Sequence, residues 1–192
     1  MNKREFVGCA GAVGALALLD GPLAVANVRG STAVPALAAV ILDERYSDAR
    51  RFAVVLQGRG ARRLATQRDV SRLWTGELDA IVTAAGALAG FTPHSDIMLM
   101  ADWGARRNLR VRYLGMHDSR ASGLMWHRLR TGADSSERIR SLDLNHAAWA
   151  STLARGLADT AFGGPGDMAC TITTHQRPGG DFPGTLVSWV IA

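Results

Sequence analysis

The sequence predicts an α/β protein, with a single three-layer domain built on a mostly parallel, Rossmann-like or flavodoxin-like sheet. One observation is the continuous apolar run Leu37–Leu42, which is typical of a strand covered on both faces. Another is a strand–helix–strand pattern with short connections between residues 79 and 118, which indicates two parallel strands joined by a crossover helix. The length of 192 residues is sufficient for one domain with a sizeable core.

The residues before this crossover unit alternate between strand and helix patterns. After the first strand, Ser47 can cap a helix from Asp48 to about Gln57, because its hydroxyl oxygen can accept from a free backbone N–H. A short strand at Arg62–Thr66 follows. A helix at Val70–Leu78, with Asp69 as its cap, then leads into the crossover unit.

The crossover unit begins with a predicted strand at residues 79–84 and an Ala- and Gly-rich connection. A helix from Pro93 to about Arg107 comes next, with Thr92 as its N-cap, since proline at the first helical position leaves no N–H without a partner. Asn108 is predicted to end this helix. The second strand of the unit is expected at Leu109–Gly115.

The remainder of the chain predicts a strand at residues 124–129, a polar loop at 131–141 and a helix at 142–159. Two further strands, at residues 168–174 and 185–192, flank a loop rich in Pro and Gly. These two strands could form an antiparallel hairpin at one edge of the sheet. With no internal repeat and no second boundary, the chain is interpreted as an exposed leader at residues 27–36 and a single α/β domain at 37–192.

The first 26 residues have the order of an export signal. Lys3 and Arg4 provide a basic start, Val7–Leu19 is uncharged and apolar, and Ala24–Ala26 has the A-x-A form of a signal-peptidase site. The apolar stretch is too short for a helix that spans a bilayer, which takes about 20 residues. We therefore expect cleavage after Ala26, a periplasmic product and no stable membrane span afterwards. A buried amino-terminal helix is the alternative.

The segment Lys3-Arg4-Glu5-Phe6-Val7 resembles a twin-arginine export signal in which Lys replaces the first Arg. The mild hydrophobicity of the stretch that follows fits the same class of signal. Such a resemblance implies a protein that folds before export, often around a cofactor or together with an exported partner protein. The sequence does not identify either one, so the cofactor stays unknown.

Charge and cysteine content exclude several classes of protein. The formal net charge is +5, but the basic side chains are scattered and lack a dense run with interleaved aromatic residues, so nucleic acid is not an expected partner. Only Cys170 remains after cleavage of the signal, so no internal disulfide is expected. The chain also lacks the dinucleotide G-x-G-x-x-G pattern, the phosphate-binding P-loop, the H-E-x-x-H zinc motif and the G-x-S-x-G nucleophile motif.

Polar residues follow the ends of the predicted parallel strands, where open α/β sheets bind their ligands. The start of the predicted helix at Pro93 lies at the same edge and offers free N–H groups to an anion. This placement predicts a site with two groups of residues. The catalytic set, relevant only if the protein is an enzyme, is His117, Asp118 and Asp43; the ligand-binding set is Glu44, Thr92, His94 and Ser95.

The leading functional hypothesis is an exported protein that binds a small molecule or an anion, or that is an accessory to a larger exported system. The alternative is a small periplasmic hydrolase or isomerase that uses His117 as a general base, oriented by Asp43 or Asp118. A third interpretation, a metal held by two histidines with an Asp or Glu, stays open at this point, although no metal ligand is assigned.

Overall fold

A central β-sheet with helices on both faces forms the core of the molecule. The computed structural model describes residues 36–75, 77–83, 86–119, 125–160, 162, 170–176 and 184–192. The export signal predicted at residues 1–26, and all of the predicted leader except Ala36, lie outside this described part. The described elements are β1 Leu37–Leu42, α1 Ser47–Gln57, β2 Arg62–Ala65, a 3-10 helix Val70–Thr75, α2 Glu77–Thr83, β3 Ala87–Pro93, α3 His94–Ala105, β4 Val111–Ser119, β5 Met125–Thr131, α4 Ala133–Arg140, α5 Trp149–Ala158, β6 Cys170–Gln176 and β7 Gly184–Ile191.

The sheet has seven described strands in the order β2-β1-β3-β7-β4-β5-β6. Strand β1 pairs in parallel with β2 and with β3. The other four pairings, β3 with β7, β7 with β4, β4 with β5 and β5 with β6, are antiparallel. The prediction of a mostly parallel sheet is therefore wrong: the sheet is mixed and mostly antiparallel, because β7 enters between the two strands of the crossover unit.

Two apolar cores fill the spaces between the sheet and its two helical layers. On one face, α1 and α5 pack side chains such as Phe52 and Leu153 against the sheet. On the other face, the 3-10 helix, α2 and α3 contribute residues that include Leu78, Met100 and Trp103. The three-layer α/β arrangement thus agrees with the prediction. Among the described helices, none is both long enough and apolar enough to cross a membrane.

The segment predicted as a strand at residues 79–84 is instead part of helix α2. Leu78 is fully buried, and Ile81 and Val82 pack against the same core, so the apolar positions follow the spacing of a helix face. Glu77 and Asp79 lie in the first turn, where carboxylates interact favourably with the helix dipole. An apolar run this short fits a strand as well as a helix, which is why the sequence alone led to the wrong assignment.

The first strand of the crossover unit is β3, and it begins within the Ala- and Gly-rich stretch that was predicted to be a connection. Within β3, a Cβ on Gly90 would lie 2.1 Å from the indole ring of Trp189, so only glycine leaves room for that side chain. Just before the strand, a Cβ on Gly86 would lie 2.0 Å from the Cβ of Ala38. Small residues here indicate close approach of neighbouring groups rather than a loop.

Several other boundaries differ from their predictions. Helix α3 starts at His94, and Thr92 does not cap it: its hydroxyl donates to the carbonyl of Pro93 instead. Asn108 does adopt a positive φ of 61° after the helix ends. The predicted loop at residues 131–141 contains helix α4, whereas the predicted helix at 142–159 begins only at Trp149.

The carboxyl-terminal strands take different places in the sheet. Strand β6 is an antiparallel edge strand, as the sequence suggested, but β7 lies at the centre and does not pair with β6. Strand β4 extends to Ser119, beyond its predicted end, so His117 and Asp118 lie within the strand and point to opposite faces. Because the strand continues past His117, this side chain is buried in the core near the end of β4.

Candidate functional site

A row of buried polar side chains crosses three neighbouring strands under helix α5. Tyr113, Gly115 and His117 alternate along β4 and share the buried face of that strand. His127 on β5 is paired directly with His117, and Ser188 on β7 is paired directly with Gly115. The sheet register therefore brings four polar side chains from three strands onto one face. All four, Tyr113, His117, His127 and Ser188, are almost completely buried.

These side chains form one continuous chain of hydrogen bonds. Tyr113 Oη lies 3.0 Å from Ser188 Oγ, and Ser188 Oγ lies 2.7 Å from His117 Nε2. The other ring nitrogen of His117, Nδ1, lies 2.8 Å from His127 Nδ1. Both nitrogens of His117 are thus engaged, which satisfies the rule that buried polar groups need partners.

The protonation states follow from burial and from the order of donors. Burial raises the pKa of Tyr113 above its ordinary value, so the phenol keeps its proton and donates it to Ser188. Burial, and then the neighbouring His127, lower the pKa of His117 well below 6.5, so this ring is neutral at pH 7. With Tyr113 taken as the donor to Ser188, Ser188 donates to Nε2 of His117, and Nδ1–H of His117 donates to Nδ1 of His127.

Gly115 provides the space in which this chain passes between the strands. A Cβ at this position would lie 2.3 Å from Tyr113 Oη, 2.5 Å from Ser188 Oγ and 3.0 Å from a methyl carbon of Leu129. Any side chain would therefore push apart the two hydroxyl groups that hydrogen-bond to each other. The glycine is required by packing, not by an unusual backbone angle.

Aromatic rings hold the two imidazoles in place. Phe91 stacks on His117 with ring centres 5.4 Å apart and planes only 5° apart. Trp149, the first residue of α5, lies with its ring centre 4.6 Å from that of His117 and 4.4 Å from that of His127. These contacts fix the orientation of both rings and exclude water from the hydrogen-bond chain, which strengthens its electrostatic interactions.

A cavity of about 140 Å³ opens beside His117. It lies at the edge of the sheet where β1 and β4 end and where β7 begins, between the amino-terminal end of α1 and the start of α5. Its lining combines aromatic and apolar side chains with hydroxyl and charged groups. The lining residues are Arg45, Tyr46, Ser47, Asp48, His117, Ser119, Met125, Trp149, Gly184 and Leu186.

Two charged residues of the cavity wall are held by ion pairs. Arg45 binds the buried carboxylate of Asp43, with Nε 2.9 Å from Oδ1 and 3.1 Å from Oδ2. Burial alone would raise the pKa of Asp43, but the hydrogen bonds and charge of Arg45 outweigh it, so the net shift is downward. Asp48, almost buried in the first turn of α1, pairs with Arg51 at 3.2 Å. Each carboxylate is therefore paired with an arginine.

Of the residues that the sequence predicted for the site, the cavity includes His117. Asp43 reaches the cavity indirectly, because it holds Arg45 in place. Glu44 pairs with Arg63 at 2.9 Å on the surface, and Asp118 accepts a hydrogen bond from Thr185 on the face opposite His117. The two carboxylates proposed to orient His117, those of Asp43 and Asp118, therefore have other partners. The two ring nitrogens of His117 are instead hydrogen-bonded to Ser188 and His127.

The predicted residues at the start of α3 lie elsewhere along the same edge. Thr92 is fully buried and accepts a hydrogen bond from the indole N–H of Trp189 at 3.1 Å. His94 and Ser95 are exposed in the first turn of α3, where Ser95 Oγ donates to Asp96 at 3.3 Å. None of the three lines the cavity. Their predicted role in binding a ligand stays a prediction.

Sequence reasoning missed Tyr113, His127, Ser188 and Trp149. The alternating pattern Tyr-x-Gly-x-His is the signal that could have placed Tyr113, Gly115 and His117 on one face, but the predicted strand ended at Gly115. His127 could have been placed opposite His117 only with the register of β5, and Ser188 only with the position of β7, which the sequence does not supply. Trp149 was predicted as one of several apolar positions of a helix rather than as the lid over two histidines.

Comparisons with known proteins assign neither a family nor a function to this chain. The chain matches no protein-family model, no curated protein and no solved structure. Within the described residues, no group of three or more His, Cys, Asp or Glu side chains is arranged to hold a metal ion. The site must therefore be interpreted from its own geometry.

Proposed function

We propose that this chain is an exported protein that binds a small molecule in the cavity beside His117. The observation that carries the proposal is the combination of an aromatic inner wall with polar groups at the opening, on a scaffold of rigid strands. Small-ligand sites in proteins have this composition, and α/β sheets place them at the carboxyl ends of their parallel strands. The tightly packed hydrogen-bond chain beneath the cavity preorganises its floor, so a ligand need not order it.

A binding role requires no proton transfer from His117, and the geometry favours that role. Both ring nitrogens are already hydrogen-bonded, and the ring is stacked on Phe91 and covered by Trp149. The ring therefore presents an edge, and not a free nitrogen, to the cavity. The support for the binding hypothesis is this arrangement of His117 as part of a rigid wall.

The experiment is a fragment screen by NMR on protein with ¹³C-labelled methionine methyl groups. Met125 lines the cavity, whereas Met98 is 62% exposed on α3 and serves as the internal control. We expect a subset of fragments to shift the Met125 methyl signal saturably and to raise the thermal midpoint by mass action. If no fragment moves Met125, or if Met98 moves equally, the cavity is not a ligand site.

A hydrolase is the second candidate, favoured by one observation. Ser188, His117 and His127 form the sequence of nucleophile, base and orienting group that activated serines use, with Ser188 Oγ 2.7 Å from His117 Nε2. However, Ser188 is fully buried, and Gly115 leaves no room beside it for an attached acyl or phosphoryl group. Catalysis would need the strands to separate at this point.

Turnover assays discriminate between the two candidates. A hydrolase should cleave a member of a panel of esters, phosphoesters and amides, and both Ser188→Ala and His117→Ala should abolish that turnover. The variant Ser141→Ala changes an exposed serine at the end of α4 and is the matched control. Absence of turnover across the panel, or turnover that survives Ser188→Ala, excludes this serine as the nucleophile.

Export is proposed on the amino-terminal pattern alone. The basic residues, the apolar stretch and Ala24–Ala26 support cleavage after Ala26, and the resemblance at Lys3–Val7 supports the twin-arginine route. Mass analysis of protein recovered from the periplasm should give a chain that starts at Asn27. An intact Met1 terminus on the exported protein would contradict the proposal.

A further inference from the structure

We propose that the cavity beside His117 takes a neutral, benzene-sized ring that carries one hydroxyl group, that is, a ligand of the phenol class. The inference rests on the proposed function and specifies its ligand. It is argued from the volume of the cavity, from the chemistry of its inner wall and from the charge balance at its opening.

The volume limits the ligand to one ring. An apolar cavity of about 150 Å³ in a protein core accommodates benzene. The present cavity measures about 140 Å³ and is open on one side, so a single six-membered ring fills it. A second fused ring or a larger substituent would have to extend out of the opening.

The inner wall is suited to an aromatic ring rather than to a flexible chain. Trp149 and His117 contribute ring surfaces, and Met125 and Leu186 contribute a thioether and an aliphatic side chain. Aromatic rings prefer offset or edge contacts with one another, and sulfur makes favourable contacts with ring edges. A rigid ring also loses less conformational entropy on binding than an alkyl chain of equal volume.

The opening is polar but has compensated charges. Arg45 is paired with Asp43, and Asp48 is paired with Arg51, so the wall offers hydrogen-bonding groups without an excess of either sign. Ser47 and Ser119 add two hydroxyl groups at the same level. A hydroxyl group on the ligand can both donate and accept here. A carboxylate or an ammonium group would be brought into a half-buried site where, among the described lining residues, each charged side chain already has an oppositely charged partner.

The test compares four probes of similar size: phenol, benzoate, benzylammonium and the aliphatic alcohol cyclohexanol. Binding is measured by the Met125 methyl shift and by the thermal midpoint. We expect phenol to bind at least about tenfold more tightly than either charged probe, because desolvating an unpaired charge is costly. Phenol should also bind more tightly than cyclohexanol, which lacks the aromatic ring.

A substitution that fills the cavity tests whether phenol binds there. Ser119 lines the cavity on the same face of β4 as His117, so Ser119→Phe should abolish the phenol-induced shift. Ser141→Phe places the same side chain on the exposed surface at the end of α4, away from the cavity, and should leave binding unchanged. Should Ser119→Phe fail to fold, 2-naphthol is titrated into the unaltered protein instead. Its second ring exceeds the cavity volume, so it should bind more weakly than phenol, and equal or tighter binding would overturn the one-ring ligand.

The outcomes separate the ligand class from the proposed function. Tighter binding of benzoate or benzylammonium than of phenol would overturn the neutral phenol class but keep a small-ligand site. Equal binding of cyclohexanol and phenol would overturn the aromatic requirement. If none of the four probes and no library fragment moved Met125, both the ligand class and the proposed function would be wrong.

Discussion

At the scale of single residues, His117 illustrates how burial and packing decide what a histidine can do. An imidazole with an ordinary pKa of 6.5 changes charge near neutral pH, but this one is buried, stacked on Phe91 and hydrogen-bonded through both nitrogens. Its neutral form is therefore the stable one. The alternation of side chains along β4 puts it on the same face as Tyr113, although the predicted strand ended at Gly115, before His117. Its partners could not be predicted, because they come from strands whose neighbours are not determined by local sequence.

Gly115 gives a direct prediction at this scale. Gly115→Ala places a methyl group between Tyr113 and Ser188, so it should lower the free energy of unfolding by about 2 to 4 kcal/mol through overpacking and loss of a buried hydrogen bond. Urea unfolding measures this change. The matched control is Gly132→Ala, since a Cβ there meets no atom within 4 Å, and its effect should stay within about 0.5 kcal/mol. Equal effects of the two substitutions would contradict the packing described around Gly115.

At the scale of elements, the first strand and the first helix were predicted closely, and the crossover unit was not. Leu37–Leu42 is a strand with the predicted bounds, since an apolar run covered on both faces has a clear signature. The run at residues 79–84 is short, and its apolar residues satisfy a helix and a strand about equally well. In the folded protein this run forms a helix, and the small residues that follow it form the strand. Gly90 in β3 makes room for Trp189, and Gly86, just before β3, lies against Ala38.

The position of β7 is the largest departure from the predicted fold. A crossover unit predicts adjacent parallel strands, but β7 pairs with both β3 and β4 and separates them. Its sequence is almost entirely buried, which is compatible with either a covered edge or a central strand. Because β3 and β4 still run in the same direction, the edge at which the sequence placed the site is also the edge that contains the cavity.

At the scale of the whole molecule, the buried His117 predicts how stability depends on pH. Its pKa is lowered in the folded state, so the unfolded chain binds a proton more readily than the folded chain does. The resulting stabilisation is fully present above the unfolded value of 6.5 and is lost as the pH falls below it. The free energy of unfolding should decrease by up to about 1.4 kcal/mol per pH unit below that value.

Urea denaturation at several pH values between 8 and 5 measures this dependence. His117→Asn removes the titrating ring, so the variant should be less stable at pH 8 but should lose less stability between pH 7 and pH 5. Asp43 does not dominate this window, because its lowered pKa lies below the value of 3.8 that a carboxyl of this type has in the unfolded chain. A native protein that keeps constant stability from pH 8 to pH 5 would contradict a neutral, buried His117.

The central claim is that a neutral His117, linked to Ser188 and His127, forms the floor of the cavity. The most direct measurement is ¹⁵N NMR of the imidazole nitrogens at pH 7. With Tyr113 as the donor to Ser188, we expect His117 to carry its proton on Nδ1, its Nε2 to be an unprotonated acceptor, and the Nδ1 atoms of His117 and His127 to share an N–H···N hydrogen bond. Protons on both nitrogens of His117, or a His117 proton on Nε2 alone, would contradict this account.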